Sequence, residues 1–147
     1  YLYYTLSSPS RNVVSRVRAN GDLALAGSNT IIFEMAPLSS AGNHNGGALV
    51  FSGGKLFIFA GENANPNNST TLATTLGKIL RINSDGSIPQ DNPFYNSTSG
   101  NNRAIWALGV RNPFTAAVQP GTGKIYFNDV GGGSAEEINE LFSGVNY

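Results

Sequence analysis

The sequence contains one hairpin pattern twice, and this repeat limits the possible folds more than any other feature. In the first copy, the loop residue His44 precedes an apolar run, a glycine turn and a second run that begins at Lys55. In the second copy, Arg111 precedes an apolar run, a longer glycine turn and the run led by Lys124. The two lysines lie 69 residues apart. An antiparallel unit repeated at this period predicts a solenoid or a propeller.

The repeat also predicts where two polar residues lie. Equivalent positions of successive propeller blades face the same end of the channel, so His44 and Arg111 should converge in space. His44 is the only histidine, and hence the only side chain that ordinarily exchanges protons near neutral pH. Structural alternatives remain open: His44 can simply begin a strand, Arg111 can pair with a carboxylate, and Glu62 and Asp129 can cap turns.

Composition excludes several classes of function. The formal net charge is zero and only 12% of residues are charged, without basic runs, so nucleic-acid binding and polybasic membrane binding are disfavoured. The absence of cysteine excludes disulfides, iron–sulfur clusters and thiolate zinc sites. No apolar run approaches the ~20 residues of a membrane span. Short β-rich runs between glycine turns predict an all-β fold.

The strand pattern predicts about eight to ten strands, or roughly two to three four-stranded antiparallel blades, in one partial β-propeller domain over residues 1–147. Residues 13–18 alternate as a half-buried strand does. Residues 56–60 are apolar on both faces, which predicts burial between blades, and Trp106 is expected in the core. Because a closed propeller has about 4–8 blades, we expect the chain to be a homo-oligomer or part of a longer chain.

A set of ordered motifs resembles the glucose/sorbosone dehydrogenase family, the soluble quinoprotein aldose dehydrogenases built on a six-bladed β-propeller. The motifs run collinearly over residues 43–147. They are His44-Asn45-Gly46-Gly47, Gly53-Gly54-Lys55-Leu56-Phe57, Gly61-Glu62, Gly77-Lys78-Ile79-Leu80-Arg81-Ile82, Asp85-Gly86, Pro89, Asp91-Asn92-Pro93-Phe94, Ile105-Trp106-Ala107-Leu108-Gly109-Val110-Arg111-Asn112-Pro113-Phe114, Asp129-Val130-Gly131, Glu136-Glu137-Ile138-Asn139 and Gly144-Val145-Asn146-Tyr147.

The resemblance implies roles for particular residues. It makes His44 the general base that takes the proton from a sugar's anomeric hydroxyl while hydride passes to pyrroloquinoline quinone (PQQ). It makes Arg111 and Asn112 the residues that hold the quinone oxygens, where a fixed guanidinium stabilises developing negative charge. It places a calcium ion on the backbone oxygens of Gly131 and Gly132, a ligand type that calcium prefers.

The resemblance therefore implies a PQQ-dependent aldose dehydrogenase that acts on a small sugar, in an extracytoplasmic location, with an electron acceptor that the sequence does not identify. The rival function is a non-catalytic extracellular propeller module that binds carbohydrate or a protein partner. A third possibility is a structural repeat without a site. Glycosylation sequons begin at Asn67, Asn68 and Asn96, and sugar attachment there is left open.

Overall fold

The structure, a computed structural model, describes residues 1–133 and 135–147 and is almost entirely β. The strands in this part of the chain are β1 (Leu2–Ser7), β2 (Ser10–Arg16), β3 (Ala19–Asn20), β4 (Leu23–Ala24), β5 (Thr30–Pro37), β6 (Leu49–Ser52), β7 (Lys55–Ala60), β8 (Lys78–Asn83), β9 (Ile105–Leu108), β10 (Pro113–Val118), β11 (Ile125–Asp129) and β12 (Glu137–Glu140). The helical segments described are a short α-helix α1 (Asn67–Thr70) and a 3-10 turn (Gly100–Ala104). Across the described residues, no helix has the length and apolar character needed to span a membrane.

The strands form three successive antiparallel sheets and one small ribbon. The first sheet has the order β1-β2-β5, the second β6-β7-β8-β9 and the third β10-β11-β12, while β3 pairs only with β4. The second sheet thus has the four strands predicted for a blade, and the other two contain three strands each within the described residues. The predicted strand number of eight to ten was too low, partly because the two-residue strands of the ribbon carry no periodic signal.

The hairpin repeat predicted from the sequence is confirmed. β6 and β7 pair around the first glycine turn with Val50 opposite Phe57. β10 and β11 pair around the second turn with Ala117 opposite Tyr126, after a register shift that begins at Pro113. Proline cannot donate to the ladder, which explains why the second hairpin is irregular at its first residue.

Strand β7 is the centre of the core, as its two-sided apolar pattern predicted. Leu56, Ile58 and Ala60 project into a cluster shared with the first sheet, and Phe57 and Phe59 project into a cluster shared with the third sheet. All five are buried. Full burial of one such large apolar side chain contributes about 1.5–3 kcal/mol to stability. Because the side chains of β7 pack against both neighbouring sheets, this strand stabilises the contacts among all three sheets. The three sheets therefore stack as successive blades of a partial β-propeller.

The members of the two clusters come from all three sheets. The first cluster contains Val14, Phe33, Met35, Leu56, Ile58, Ala60, Leu80, Ile82, Ala104 and Ile105, and the second contains Phe57, Phe59, Ile79, Ala107, Val110, Ile125 and Phe127. Trp106 packs against the second cluster, edge-on to Phe57, and is partly buried.

The half-buried alternation predicted for residues 13–18 was wrong. The strand β2 ends at Arg16, and the four residues Asn12, Val13, Val14 and Ser15 are all fully buried. Asn12 is buried because its amide reaches out of the sheet to Asn45, a contact that places it beside the residues described next. A polar side chain at a buried position therefore has a specific partner rather than solvent.

Candidate active site

His44 lies in the loop between β5 and β6, where close backbone contacts fix its position. Its φ angle is 53°, in the left-handed region that histidine tolerates better than most residues. Its carbonyl accepts the N–H of Asn63 at 2.9 Å. A Cβ at Gly61 would overlap that carbonyl, and a Cβ at Gly46 would lie 2.7 Å from the Gly61 nitrogen. The glycines of both motifs are thus needed so that the two loops can touch.

Glu62 is the direct partner of His44. One carboxylate oxygen of Glu62, Oε1, binds the imidazole Nδ1 of His44. The carboxylate is 2% exposed and the imidazole 16% exposed, so the pair is almost completely withdrawn from solvent. The second oxygen, Oε2, is buried and has no hydrogen-bond partner among the described residues. Glu62 therefore does more than cap a turn, which was the structural alternative for this residue.

The first sheet holds the residue after His44. The hydroxyl of Tyr3 donates to the carbonyl of Asn45 at 2.5 Å, and the side-chain amide of Asn12 donates to the Asn45 Oδ1 at 3.2 Å. Burial raises the pKa of the Tyr3 hydroxyl above its ordinary value, so it remains a donor over the physiological range. These contacts with the first sheet fix the loop independently of Glu62.

The third sheet holds the same loop through Asn112. The Asn112 Oδ1 accepts the backbone N–H of Gly46 at 3.0 Å. The carbonyl of Arg111 accepts the backbone N–H of Glu62 at 2.9 Å. The two motifs that the repeat made equivalent thus meet at one end of the sheets, directly through the bond from Gly46 to Asn112 and indirectly through Glu62, which is bonded to both His44 and Arg111.

The turn that carries Arg111 and Asn112 is organised by Asp129, the last residue of β11. Its two carboxylate oxygens accept the backbone N–H groups of Arg111 and Asn112 at 2.8 and 2.6 Å. Burial raises the pKa of Asp129 above the ordinary aspartate value, and the two N–H donors offset part of that rise. The geometry therefore shows that Asp129 stabilises a turn, which was the structural alternative for this residue.

The guanidinium of Arg111 contacts the glycine loop after β11. Its Nη1 donates to the carbonyls of Val130 and Gly131 at 2.8 and 3.0 Å. Among the described residues, no carboxylate oxygen lies close enough to form an ion pair with Arg111, so the pairing considered as an alternative is not found there. The remaining guanidinium donors, Nε and Nη2, have no hydrogen-bond partner within the described part of the chain.

A cavity of about 210 Å³ lies beside this turn. Its walls are formed by the backbone of the glycine loop, an arginine, two carboxylates and a tyrosine: Gly109, Arg111, Asp129, Val130, Gly131, Gly132, Glu137 and Tyr147. The cavity includes the predicted residues Arg111, Gly131 and Gly132, but His44 is not part of its lining. No cluster of three or more His, Cys, Asp or Glu able to hold a metal ion occurs in residues 1–133 or 135–147.

Two residues at the site were not assigned a role from sequence. Tyr3 and Asn12 come from a region that matched the motifs only generally. Glu62 had a signal only as part of the Gly61-Glu62 motif, and the sequence left open whether it caps a turn.

Comparison with known proteins identifies the family to which the chain is similar. The sequence model of the family described as Glucose / Sorbosone dehydrogenase matches residues 1–147. The aldose sugar dehydrogenase YliI of Escherichia coli is 39% identical over 131 residues, which are 88% of this chain and 35% of that protein. The chain thus spans about a third of the length of this relative.

Solved structures resemble the whole chain. The apo form of the soluble aldose sugar dehydrogenase from Escherichia coli superposes with a TM-score of 0.87 at 34% identity, covering 99% of this chain and 42% of that one. The PQQ-bound aldose sugar dehydrogenase from Streptomyces coelicolor superposes with a TM-score of 0.77 at 26% identity, covering 99% of this chain and 41% of that one. From the motifs, the stacked sheets and these matches, the chain belongs to the glucose/sorbosone dehydrogenase family.

Proposed function

We propose that the protein is a PQQ-dependent aldose dehydrogenase in which His44 is the base that removes the proton from the C1 hydroxyl of the sugar. The observation that carries this proposal is the buried His44–Glu62 pair, which lies one backbone hydrogen bond from the Arg111 turn. A relative with a solved PQQ-bound form supports the choice of cofactor. The family membership supports a sugar as substrate.

Glu62 gives His44 the tautomer that a base needs. When the carboxylate accepts a hydrogen bond from Nδ1–H, the lone pair of the neutral imidazole is on Nε2, the nitrogen left to accept the substrate proton. After that transfer the imidazolium is stabilised by the adjacent carboxylate, which is almost completely buried and therefore little screened. Glu62 thus orients His44 and stabilises its charged form, as the acid of a hydrolase triad does for its histidine.

Arg111, in the wall of the cavity, fits a quinone carrying negative charge. When bound, PQQ supplies the oxidant that accepts hydride from C1 of the sugar. Arg111 has its Nη1 fixed by two carbonyls, so the guanidinium is pre-positioned, and its other donors remain for an oxygen acceptor. The Asn112 side chain uses Oδ1 for Gly46, which orients its amide nitrogen away from that bond. Arg111 lines the cavity and can donate to a quinone oxygen there, whereas Asn112 is not part of the cavity lining, so its amide nitrogen would have to donate from beside it.

The glycine loop fits a calcium ion only through backbone oxygens. Gly131 and Gly132 line the cavity, and a carbonyl has two lone pairs, so the Gly131 oxygen can ligate a cation while it accepts Arg111. The carboxylates of Asp129 and Glu137 line the same cavity and favour a cation there. We propose that these carbonyls hold the calcium ion that accompanies the quinone.

The test compares substitutions of His44 and Arg111 in the natural full-length polypeptide. A dye-reduction assay with aldoses, PQQ and calcium measures turnover. His44→Gln keeps approximate size and a hydrogen-bonding group but cannot accept the proton, so kcat should fall by about 10²–10⁴-fold, or about 3–5 kcal/mol of barrier. PQQ binding, measured by titration of its absorbance, should change little in this variant.

Arg111→Ala should behave differently, because its guanidinium acts electrostatically on the cofactor. It should weaken PQQ binding and slow turnover together. Wild-type turnover by His44→Gln at a saturating aldose concentration would contradict the assigned base. A full-length protein that binds aldose without reducing the dye would instead identify a carbohydrate-binding module.

A further inference from the structure

Lys78, the first residue of β8, is a fully buried lysine that the proposed function does not use. Its exposure is 0%, and its ammonium donates to three backbone carbonyls rather than to a carboxylate. The acceptors are the carbonyls of Asn68, of Ser69 at 3.0 Å and of Leu76 at 2.9 Å. An ammonium has three donors, so each is matched by one acceptor and the group is completely satisfied.

The residue before Lys78 explains how the carbonyls come so close. Gly77 has a φ angle of +67°, and a Cβ added there would lie 2.6 Å from the Ser69 Cα. Only glycine therefore lets the loop 61–77 fold back against the start of β8. Gly77 thus leaves room for the loop, and Lys78 binds the loop through hydrogen bonds.

Two of the carbonyls that Lys78 binds belong to residues that also contact the proposed active site. The side-chain amide of Asn68 donates to the carbonyl of Glu62 at 2.9 Å. The carbonyl of Ser69 accepts a second hydrogen bond, from the backbone N–H of Gly109 at 2.9 Å. Gly109 lies two residues before Arg111. The ammonium of Lys78 is thus connected to the backbone of Glu62 through Asn68. It is connected to the segment that carries Arg111 through the carbonyl of Ser69.

We propose that Lys78 is a positioning residue, which fixes the orientation of Glu62, and through it His44, relative to the Arg111 turn. This inference rests on the proposed function for its catalytic meaning. Three bonds to a single charge hold residues 68, 69 and 76 in one arrangement, whereas water molecules in their place would allow several. Without the contact from Asn68, the position of Glu62 would be less fixed. The imidazole of His44 could then rotate and lose its fixed tautomer.

The experiment replaces Lys78 by methionine, which keeps the length of the side chain and removes all three donors. The matched control is Lys55→Met in the same sheet, where the ammonium donates to Asn83 at the opposite end of the strands. The proteins are natural full-length polypeptides with 15N-labelled histidine. The His44 signal is identified as the one missing from His44→Gln. The measured quantity is the rate at which the Nδ1 proton of His44 exchanges with solvent.

In Lys78→Met this exchange should be at least about tenfold faster, and kcat should fall by about 10–100-fold with the aldose KM changed less than about threefold. Lys55→Met should leave both quantities within about twofold of wild type. A purely structural lysine would lower the fraction of folded protein without changing the exchange rate of the folded molecules. Unchanged exchange in folded Lys78→Met would overturn the proposal.

If Lys78→Met does not fold, Asn68→Ala decides. It removes the link to Glu62 and leaves the ammonium contacts in place, so exchange should still be at least about threefold faster, and an unchanged rate would overturn the proposal. The exchange measurement needs no turnover. A protein that oxidises no aldose but shows the exchange effect would refute the proposed dehydrogenase and retain the positioning role.

Discussion

Replacing Gly46 by alanine tests whether the loop of His44 depends on a close backbone approach. Two costs are expected. An alanine at a φ angle of +69° pays about 1–2 kcal/mol for the left-handed conformation. Its Cβ would also overlap the carbonyl of Phe59 and lie 2.7 Å from the nitrogen of Gly61, so the loop must move.

The size of the second cost follows from the contacts that would be broken. To reach an ordinary contact of about 3.5 Å from the Gly61 nitrogen, the loop must shift by at least about 0.8 Å, and the closer carbonyl of Phe59 requires a larger shift. This shift weakens the bonds from Gly47 N–H to Phe59 O and from Gly46 N–H to Asn112 Oδ1, both 3.0 Å long. At about 0.5–1.5 kcal/mol each, their loss adds about 1–3 kcal/mol, for a total of about 2–5 kcal/mol.

The matched control is Gly53→Ala, since Gly53 has a φ angle of +56° but no atom within 4 Å of an added Cβ. This variant should pay only the conformational cost of about 1–2 kcal/mol. Urea denaturation of both variants in the natural full-length polypeptide gives the difference. In addition, Gly46→Ala should lower kcat by roughly tenfold or more, because misplacement by about 1 Å can cost 10²-fold. Equal losses of stability in the two variants would refute the close-approach argument.

Two further predictions concern buried charges. Asp129→Asn should lower the free energy of unfolding by about 2 kcal/mol, because the amide nitrogen that replaces one carboxylate oxygen cannot accept the N–H group bound there and leaves it unsatisfied; urea denaturation checks this, and Asp85→Asn in an exposed turn should cost less. Burial lowers the pKa of Lys78 to about 8, whereas the unfolded chain keeps a value near 10.4, so the folded protein binds fewer protons between these values. The stability of wild type relative to Lys78→Met should therefore rise as pH increases from about 8 to 10, and a constant difference in urea midpoint would contradict the assignment.

Sequence patterns predicted those parts of the fold that depend on side-chain periodicity and turns. The residues of β7 could be assigned to two interfaces because a strand that is apolar on both faces must be covered on both. The hairpin repeat predicted that His44 and Arg111 lie at the same end, because equivalent loops of stacked hairpins emerge in the same direction.

Contacts between side chains from different loops could not be predicted in the same way. The pairing of His44 with Glu62 depends on the close approach of two loops, which periodicity does not describe. The burial of Lys78 could not be predicted, since its acceptors are carbonyls supplied by a loop rather than acidic side chains. Burial of Asn12 likewise depends on Asn45, which belongs to another loop.

The loop at residues 44–46 has a consequence for the order in which the molecule folds. Its contacts join Tyr3 to Asn45 and Gly46 to Asn112 across 42 and 66 residues of chain. Such long closures are entropically costly and form after the local hairpins, whose strands are neighbours in sequence. We therefore expect hairpin β-structure to form before the geometry around His44, and the candidate active site to form only when all three sheets have docked.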